Sequence, residues 1–487
     1  MCGIVGIVNT KMSASQDVYE CLLGLQHRGQ DAAGIVTATS KKFYEKRGEG
    51  LVRDVFVQKD FTKLVGTVGM GHVRYRTTGR VALTGSQPFF VKYPFPLYLI
   101  HNGNLTNTKA LKNDLPKSVI KKLRSDSDSE ILLMTFREIL REKISQEKSE
   151  KNFVAHVHAS VAKTMQKIQG AYSVIMVVDG HGLLAFRDPH GIRPLIVGKR
   201  IYNGATDWAV ASESSAFASS GFVVERDVRP GESLFITTDG ILHSHQAVPG
   251  TLSPCIFEYI YLARPDSIID GISVYKTQLR LGRALGRQVA KEKIAIDVVI
   301  PIPDSARAAA SEVAHALHVA HREGLYRNRY VGRTFIMPEQ RERTQAVSRK
   351  LSPIPLEIKG KRILLVDDSI VRGTTIQRIV AMCRAVGAKK VYVASAAPAV
   401  RFQNVYGVDI PTKKELIADN RTLKEIATYI GADKVFYQTV EDMISAAREG
   451  NKKIKQFEDS VFTGKYVTGD VSEKYLANLA HRRRERK

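Results

Sequence analysis

Cys2, in the opening run Met1-Cys2-Gly3-Ile4-Val5-Gly6-Ile7, is the residue of this chain best suited to covalent chemistry. Removal of Met1 is expected when a small residue follows, and Cys2 then carries a thiol and a free α-amine together. The thiol is a nucleophile. The amine, with a pKa of about 8 in ordinary peptides, can act as its base directly or through a water. Gly3 lets the chain end approach other backbone, and Ile4, Val5, Ile7 and Val8 read as a buried strand that would hold the cysteine in place.

Three further patches suit the same chemistry. They are Gly71-His72-Val73-Arg74-Tyr75-Arg76-Thr77-Thr78-Gly79, His101-Asn102-Gly103-Asn104-Leu105, and Ser125-Asp126-Ser127-Asp128-Ser129-Glu130. Singly, each has an ordinary reading: a turn arginine, an Asn-Gly hairpin turn, and a helix N-cap. Behind a terminal thiol they form a set. A thiolate that attacks an amide carbonyl creates a tetrahedral oxyanion, which needs preorganised donors. The Asn102 side chain and the Gly103 N–H can supply them. Arg74 can grip an α-carboxylate in a bidentate pair, and Asp128 can take an α-ammonium.

A second constellation lies far along the chain. In Ile363-Leu364-Leu365-Val366-Asp367-Asp368-Ser369-Ile370-Val371-Arg372-Gly373-Thr374-Thr375 an apolar strand ends in two acids, and a Gly/Thr-rich turn then opens a helix. The helix start with Gly373, Thr374 and Thr375 makes an anion cradle fit for a sugar phosphate. Adjacent carboxylates at the strand end suit ribose hydroxyls and a hydrated Mg²⁺.

The elements that must position these groups differ between the two halves. To about residue 240 the chain is rich in short apolar runs broken by Gly and Asn: 65–70, 97–100, 171–178 and 209–211. Few are separated by a crossover helix, so strand-rich sheets with helices outside are expected. The second half reads strand (297–301), helix (Ser305 to Ala320), strand (Arg362 to Val366), helix (Thr374 to Val386), strand (Val391 to Ser395). That is βαβαβ, hence a parallel sheet with ligands at the strand C-termini. The boundary is expected between residues 235 and 255.

Composition narrows the class. The 487 residues are 44% hydrophobic and 25% charged, which suits two or three soluble globular domains. No apolar run reaches membrane-spanning length and no signal peptide precedes Cys2, so a cytoplasmic location and no membrane partner are expected. Of the four cysteines, none forms a CxxC pair, and Cys21 and Cys383 read as core residues. The net charge of +24 could serve a polyanionic substrate. Its basic residues are dense at 322–350 and in the tail from His481. With one Trp and no nucleic-acid-binding motif, nucleic acid is not expected as the main partner.

The patches around Cys2, with Gln26-His27-Arg28-Gly29-Gln30-Asp31, resemble the N-terminal-nucleophile glutaminase domain of class II glutamine amidotransferases. That resemblance implies two antiparallel sheets between helix layers (αββα). It makes Cys2 the nucleophile, Asn102 and Gly103 the oxyanion hole, and Arg74, Thr77 and Asp128 the glutamine grip. Arg76 stands where a small residue is expected and should point outward. The 363–375 stretch resembles the diphosphoribosyl motif of type I phosphoribosyltransferases. Pro301-Ile302-Pro303-Asp304-Ser305-Ala306 is similar to the pyrophosphate-side loop of that fold, and 333–352 to its mobile lid. The implied phosphoribosyl pyrophosphate site is Asp367, Asp368, Ser369, Arg372, Gly373, Thr374 and Thr375, with Mg²⁺ near Ser305, Asp367 and Asp368.

The two halves together, joined by Cys255-Ile256-Phe257-Glu258-Tyr259-Ile260-Tyr261-Leu262-Ala263-Arg264-Pro265-Asp266-Ser267, resemble the amidophosphoribosyltransferase family. The resemblance implies an α/β and α+β chain with a glutaminase domain at 2–240, a phosphoribosyltransferase domain at 253–470 and a basic tail at 471–487. It implies the committed step of purine synthesis, with ammonia passed between two sites, a homotetramer, and feedback inhibition by purine nucleotides. Some members carry an iron–sulfur cluster on four cysteines. Here Cys255 matches one position, Asn404 replaces another, and 458–461 reads Glu-Asp-Ser-Val, so no cluster is expected. A hexosamine-phosphate synthase would need sugar-isomerase modules in place of the 363–375 motif. A phosphoribosyl-pyrophosphate-sensing DNA-binding regulator would need a winged-helix N-terminus in place of the Cys2 set.

Overall fold

The structure, a computed structural model, describes residues 1–40, 42–75, 86–93, 95–146, 152–328 and 351–485. The opening apolar run forms the strand Gly3–Val8, every residue of it buried. It lies fourth in a seven-stranded sheet whose order is Val223–Asp227, Ile196–Tyr202, Ala205–Ala211, Gly3–Val8, Val68–Arg74, Ala32–Ala38 and Phe43–Glu49. A strand flanked on both edges and covered on both faces has no solvent side. That is why its sequence is continuously apolar rather than alternating.

A second, six-stranded sheet packs against the first, ordered Leu242–Gln246, Glu232–Thr237, Gly182–Arg187, Gly170–Val178, Leu97–Leu105 and Phe89–Val91. Ile4 and Val8 of the first sheet meet Ile100, Ile175, Val177 and Leu183 of the second in one buried layer. The helices Asp128–Gln146 and Phe153–Lys167 cover the outer face of the second sheet through Leu132, Phe136, Val157 and Val161. Helix Ser15–Gly24 covers the first through Val18 and Leu22. The layers are therefore helix, sheet, sheet, helix, as the resemblance implies. The strand Leu242–Gln246 pairs along Glu232–Thr237, so the second sheet runs past residue 240.

In the second half, five parallel strands lie in the order Ala320–His321, Val298–Pro301, Arg362–Asp367, Lys390–Ser395 and Lys434–Tyr437. The two edge strands were not anticipated. The helix expected to reach Ala320 ends at Leu317, where His318 turns left-handed at φ 55° and releases the chain into the short edge strand. Two-residue pairings carry no periodicity, which is why the pattern did not show it.

The tail is not simply a solvated end. Helix Glu473–Glu485 packs Tyr475, Leu476 and Leu479 on the core, and Leu476 O accepts from Gln403 Nε2 at 3.1 Å.

Candidate functional site

Strand pairing sets Cys2 beside Arg74. Gly3 lies opposite Val73 in the antiparallel ladder, so the residue before Gly3 falls at the level of Arg74. The Cys2 carbonyl accepts from Arg28 Nε at 3.1 Å. Met1 is buried, its sulfur against the Arg193 guanidinium. Burial pushes the chain-end amine down to about 5, helped by the charges of Arg28 and Arg193. That amine belongs to Met1, the residue that precedes Cys2.

His72, next to Arg74 in sequence, is fully buried and held neutral, its pKa pushed down to about 3 by burial and then by Arg74, His101 and the chain-end amine. Asn102 and Gly103 sit not in a hairpin turn but inside the strand Leu97–Leu105, opposite Ser173 and Tyr172. Gly103 has φ +148°, and a Cβ there would lie 2.0 Å from Ala171 O, so only glycine fits. Asn102 is 1% exposed, and its Nδ2 has no partner among the described residues.

Asp128 starts the helix Asp128–Gln146, so this patch does open a helix. Its Oδ1 accepts from Ser129 N at 2.8 Å and its Oδ2 from Leu105 N at 3.1 Å, which ties it to the Asn102 strand. His101 Nδ1 lies 3.1 Å from Ser129 Oγ and 3.8 Å from Asp128. Arg74 reaches Ser86 Oγ at 3.4 Å and keeps a partly exposed guanidinium. Thr77 and Arg76 lie outside the described residues.

The buried support beneath Cys2 carries no signal in the local sequence. Arg28 donates to Glu213, and to Glu258 at 3.0 and 2.9 Å. Burial alone would raise the Glu213 carboxyl, but Arg28 and His27 outweigh it and hold it well below the usual carboxylate range. Glu213 also accepts from Arg264 N at 3.0 Å and Ser267 Oγ at 2.8 Å. The junction segment is thus hydrogen-bonded to the cysteine strand through one arginine. Arg28 stood in a recognised motif, but its partners are 185 and 230 residues away.

In the parallel sheet, Asp367 ends the central strand and Asp368 follows it. Burial, then the neighbouring Asp368 charge, raises the Asp367 carboxyl well above its ordinary range. Asp368 is raised too, by burial, although the Ser305 and Ser369 hydroxyls donate to it. Two adjacent acids that resist ionisation together, Asp368 buried and Asp367 half-buried, make a donor set that a divalent cation or hydroxyl donors would relieve. Ser305 is brought to this pair from the turn after Val298–Pro301.

Gly373, left-handed at φ +78°, opens the helix Thr374–Ala385, and no side chain caps that start. Thr374 and Thr375 are exposed there, so the first N–H groups face outward with the partial positive charge of the helix end. Arg372 is half exposed, 3.9 Å from Glu415. Most of the basic segment 333–352 lies outside the described residues, which omit 329–350.

Two of the positions compared with cluster cysteines make contacts within the protein. Cys255 is buried, its thiol pushed up to about 12 by burial, in a parallel bridge with Glu458. Asn404 Oδ1 accepts from Tyr406 N at 2.8 Å and Val408 N at 3.0 Å.

Comparison with known proteins places this geometry. A family profile described as a glutamine amidotransferase domain matches residues 74–219, and one described as a phosphoribosyl transferase domain matches 275–407. The chain is 48% identical to the amidophosphoribosyltransferase of Pasteurella multocida, over 100% of this chain and 96% of that protein. It is 48% identical to that of Escherichia coli, over 98% and 94%. A solved glutamine phosphoribosylpyrophosphate amidotransferase from Bacillus subtilis, complexed with ADP and GMP, superposes with a TM-score of 0.84 at 36% identity, covering 97% of this chain and 98% of that one.

Proposed function

The chain belongs to the amidophosphoribosyltransferase family, and on that premise we propose how its residues divide the family's reaction. Glutamine, 5-phosphoribosyl 1-pyrophosphate and water become 5-phosphoribosylamine, glutamate and pyrophosphate. Residues from Cys2 through the strand ending at Gln246 form the glutaminase half, and 253–470 the transferase half.

In the first half, with Met1 removed, the amine of Cys2 takes the thiol proton, and the thiolate attacks the amide carbon. Asn102 Nδ2 and Gly103 N–H meet the oxyanion. Arg74, Thr77 and Asp128 hold the amino-acid end. Ammonia leaves with the proton returned from the amine, and water opens the thioester to glutamate. In the second half, ammonia forms a bond to ribose C1 as the bond from C1 to the pyrophosphate oxygen breaks. The nitrogen then loses a proton. The Ser369–Thr375 turn with Arg372 holds the 5-phosphate. Asp367 and Asp368, with Ser305 beside them, would hold the ribose hydroxyls and a hydrated Mg²⁺, which neutralises pyrophosphate charge when bound. Ammonia must pass between the sites without meeting bulk water, where it would be protonated.

One observation above others supports the first half. A buried amide donor left unmet is costly, and Asn102 Nδ2 is such a donor at the point where an oxyanion would form. The reading also places the enzyme in the cytoplasm as a homotetramer without an iron–sulfur cluster. Purine-nucleotide feedback is supported by the nucleotide-bound Bacillus subtilis neighbour.

The test is Cys2→Ala. Glutamine-dependent synthesis should vanish while synthesis from concentrated ammonium at alkaline pH persists. Equal loss of both would sink the two-site division.

A further inference from the structure

The strand that carries Asn102 and Gly103 is braced from the transferase half. Asn104 Nδ2 donates to Val405 O at 2.8 Å. A Cβ built at Gly407 would lie 2.9 Å from the C and O atoms of Gly103 and 3.1 Å from its Cα. The two backbones are therefore in direct contact, and Gly407 adopts φ +96°, where glycine is favoured.

The bracing loop is itself immobilised. Asn404 caps two of its N–H groups, and the Tyr406 hydroxyl pairs with Thr468 Oγ1 at 2.7 Å. Asn404, Val405 and Tyr406 are each 2% exposed or less. A second strap lies beside it: Thr106 donates to Asp470, which also takes the Thr468 hydroxyl. Residue 104 of the oxyanion strand and residue 106 just beyond its end are thus tied to residues 405 and 470.

We infer that the Gly407 loop is a positioning element for the glutaminase oxyanion hole, so that the transferase half sets the competence of the other half's active site. The inference rests on the assignment of Cys2, Asn102 and Gly103 made above. The physical reason is tolerance. A donor must sit within hydrogen-bond distance of an oxyanion that exists only in the transition state, and a shift of about 1 Å there costs about a hundredfold in rate. Gly103 is also closed on the side to which a Cβ would point, where Ala171 O would lie 2.0 Å from it. The Gly407 contact acts on the transition state rather than on bound glutamine, whose grip is made by Arg74 and Asp128.

The experiment compares full-length wild type with Gly407→Ala, which pushes the contact, and with Asn104→Ala plus Thr106→Val, which cuts the straps without backbone strain. The readouts are glutaminase kcat and KM, ammonia-dependent synthesis, and binding of the aldehyde analogue of glutamine. That aldehyde adds to the thiol and places an oxyanion where the amide would. Gly407→Ala should lower glutaminase kcat about tenfold to a hundredfold. It should weaken the aldehyde by the same factor and leave glutamine KM and ammonia-dependent synthesis unchanged. If Gly407→Ala loses ammonia-dependent synthesis as well, the strap variant decides: lower kcat with intact synthesis from ammonia supports the inference. Unchanged kcat and aldehyde binding in the strap variant overturns it. Failure of the wild type to form the thiol adduct would instead overturn the Cys2 assignment itself.

Discussion

Replacing Arg28 by Met should destabilise the glutaminase half by about 3–5 kcal/mol, the usual cost of stripping one partner from a buried ion network. The side chain is fully buried, and its donors go to the Cys2 carbonyl, Glu213 and Glu258. After its loss Glu213 keeps His27 at 2.8 Å, Arg264 N and two serine hydroxyls. Among the described residues Glu258 keeps only Arg193, at 3.4 Å. Most of the cost therefore falls on Glu258, and adding Glu258→Gln to the variant should recover most of it. The assay is urea unfolding followed by the single tryptophan. Trp208 lies opposite Val8 on the strand beside the Cys2 strand, so its fluorescence reports this sheet. The pH dependence supplies a second check. In the wild type the depressed Glu213 pKa gives stability that is present above its unfolded pKa of about 4.3 and lost only as pH falls through the lower folded value. Without Arg28 the largest lowering influence is lost, so that pKa rises from its depressed value. The gap between variant and wild type should narrow as pH falls through about 4.3 and below. A single-variant cost under about 1 kcal/mol, a double variant no more stable than the single, or a gap that widens on acidification would each refute the network's role.

Asp367→Asn and Asp368→Asn should impair synthesis from glutamine and from ammonia alike, by about a hundredfold or more, because each touches the shared acceptor site. Retained ammonia-dependent activity in the double variant would refute their assignment. Chelation of divalent cations should reproduce that double loss, and magnesium should restore it. Arg74→Ala and Asp128→Ala should raise the glutamine KM by about tenfold to a hundredfold, the loss of one charge-assisted pair, with the ammonia reaction untouched. A change confined to kcat would place them elsewhere in the cycle.

Local chemistry was legible in the chain because each motif carries its own geometry. Cys2 needs no positioned partner to find its amine. Asp367 and Asp368 sit where a strand must end and a helix begin. The continuous apolar runs at Gly3–Val8 and 363–366 announce strands buried on both faces. Tertiary structure alone decided the rest. The Asn102-Gly103 pair reads as a hairpin turn by itself, and only pairing with Gly170–Val178 makes it an extended strand with an orphaned donor. Arg28 finds Glu213 and Glu258, and Gly103 meets Gly407, across hundreds of residues. A helix period or a turn residue specifies what its neighbours in sequence do. Which buried arginine meets which acid, and which two glycines touch, is set by how whole layers pack, and no spacing along the chain encodes that.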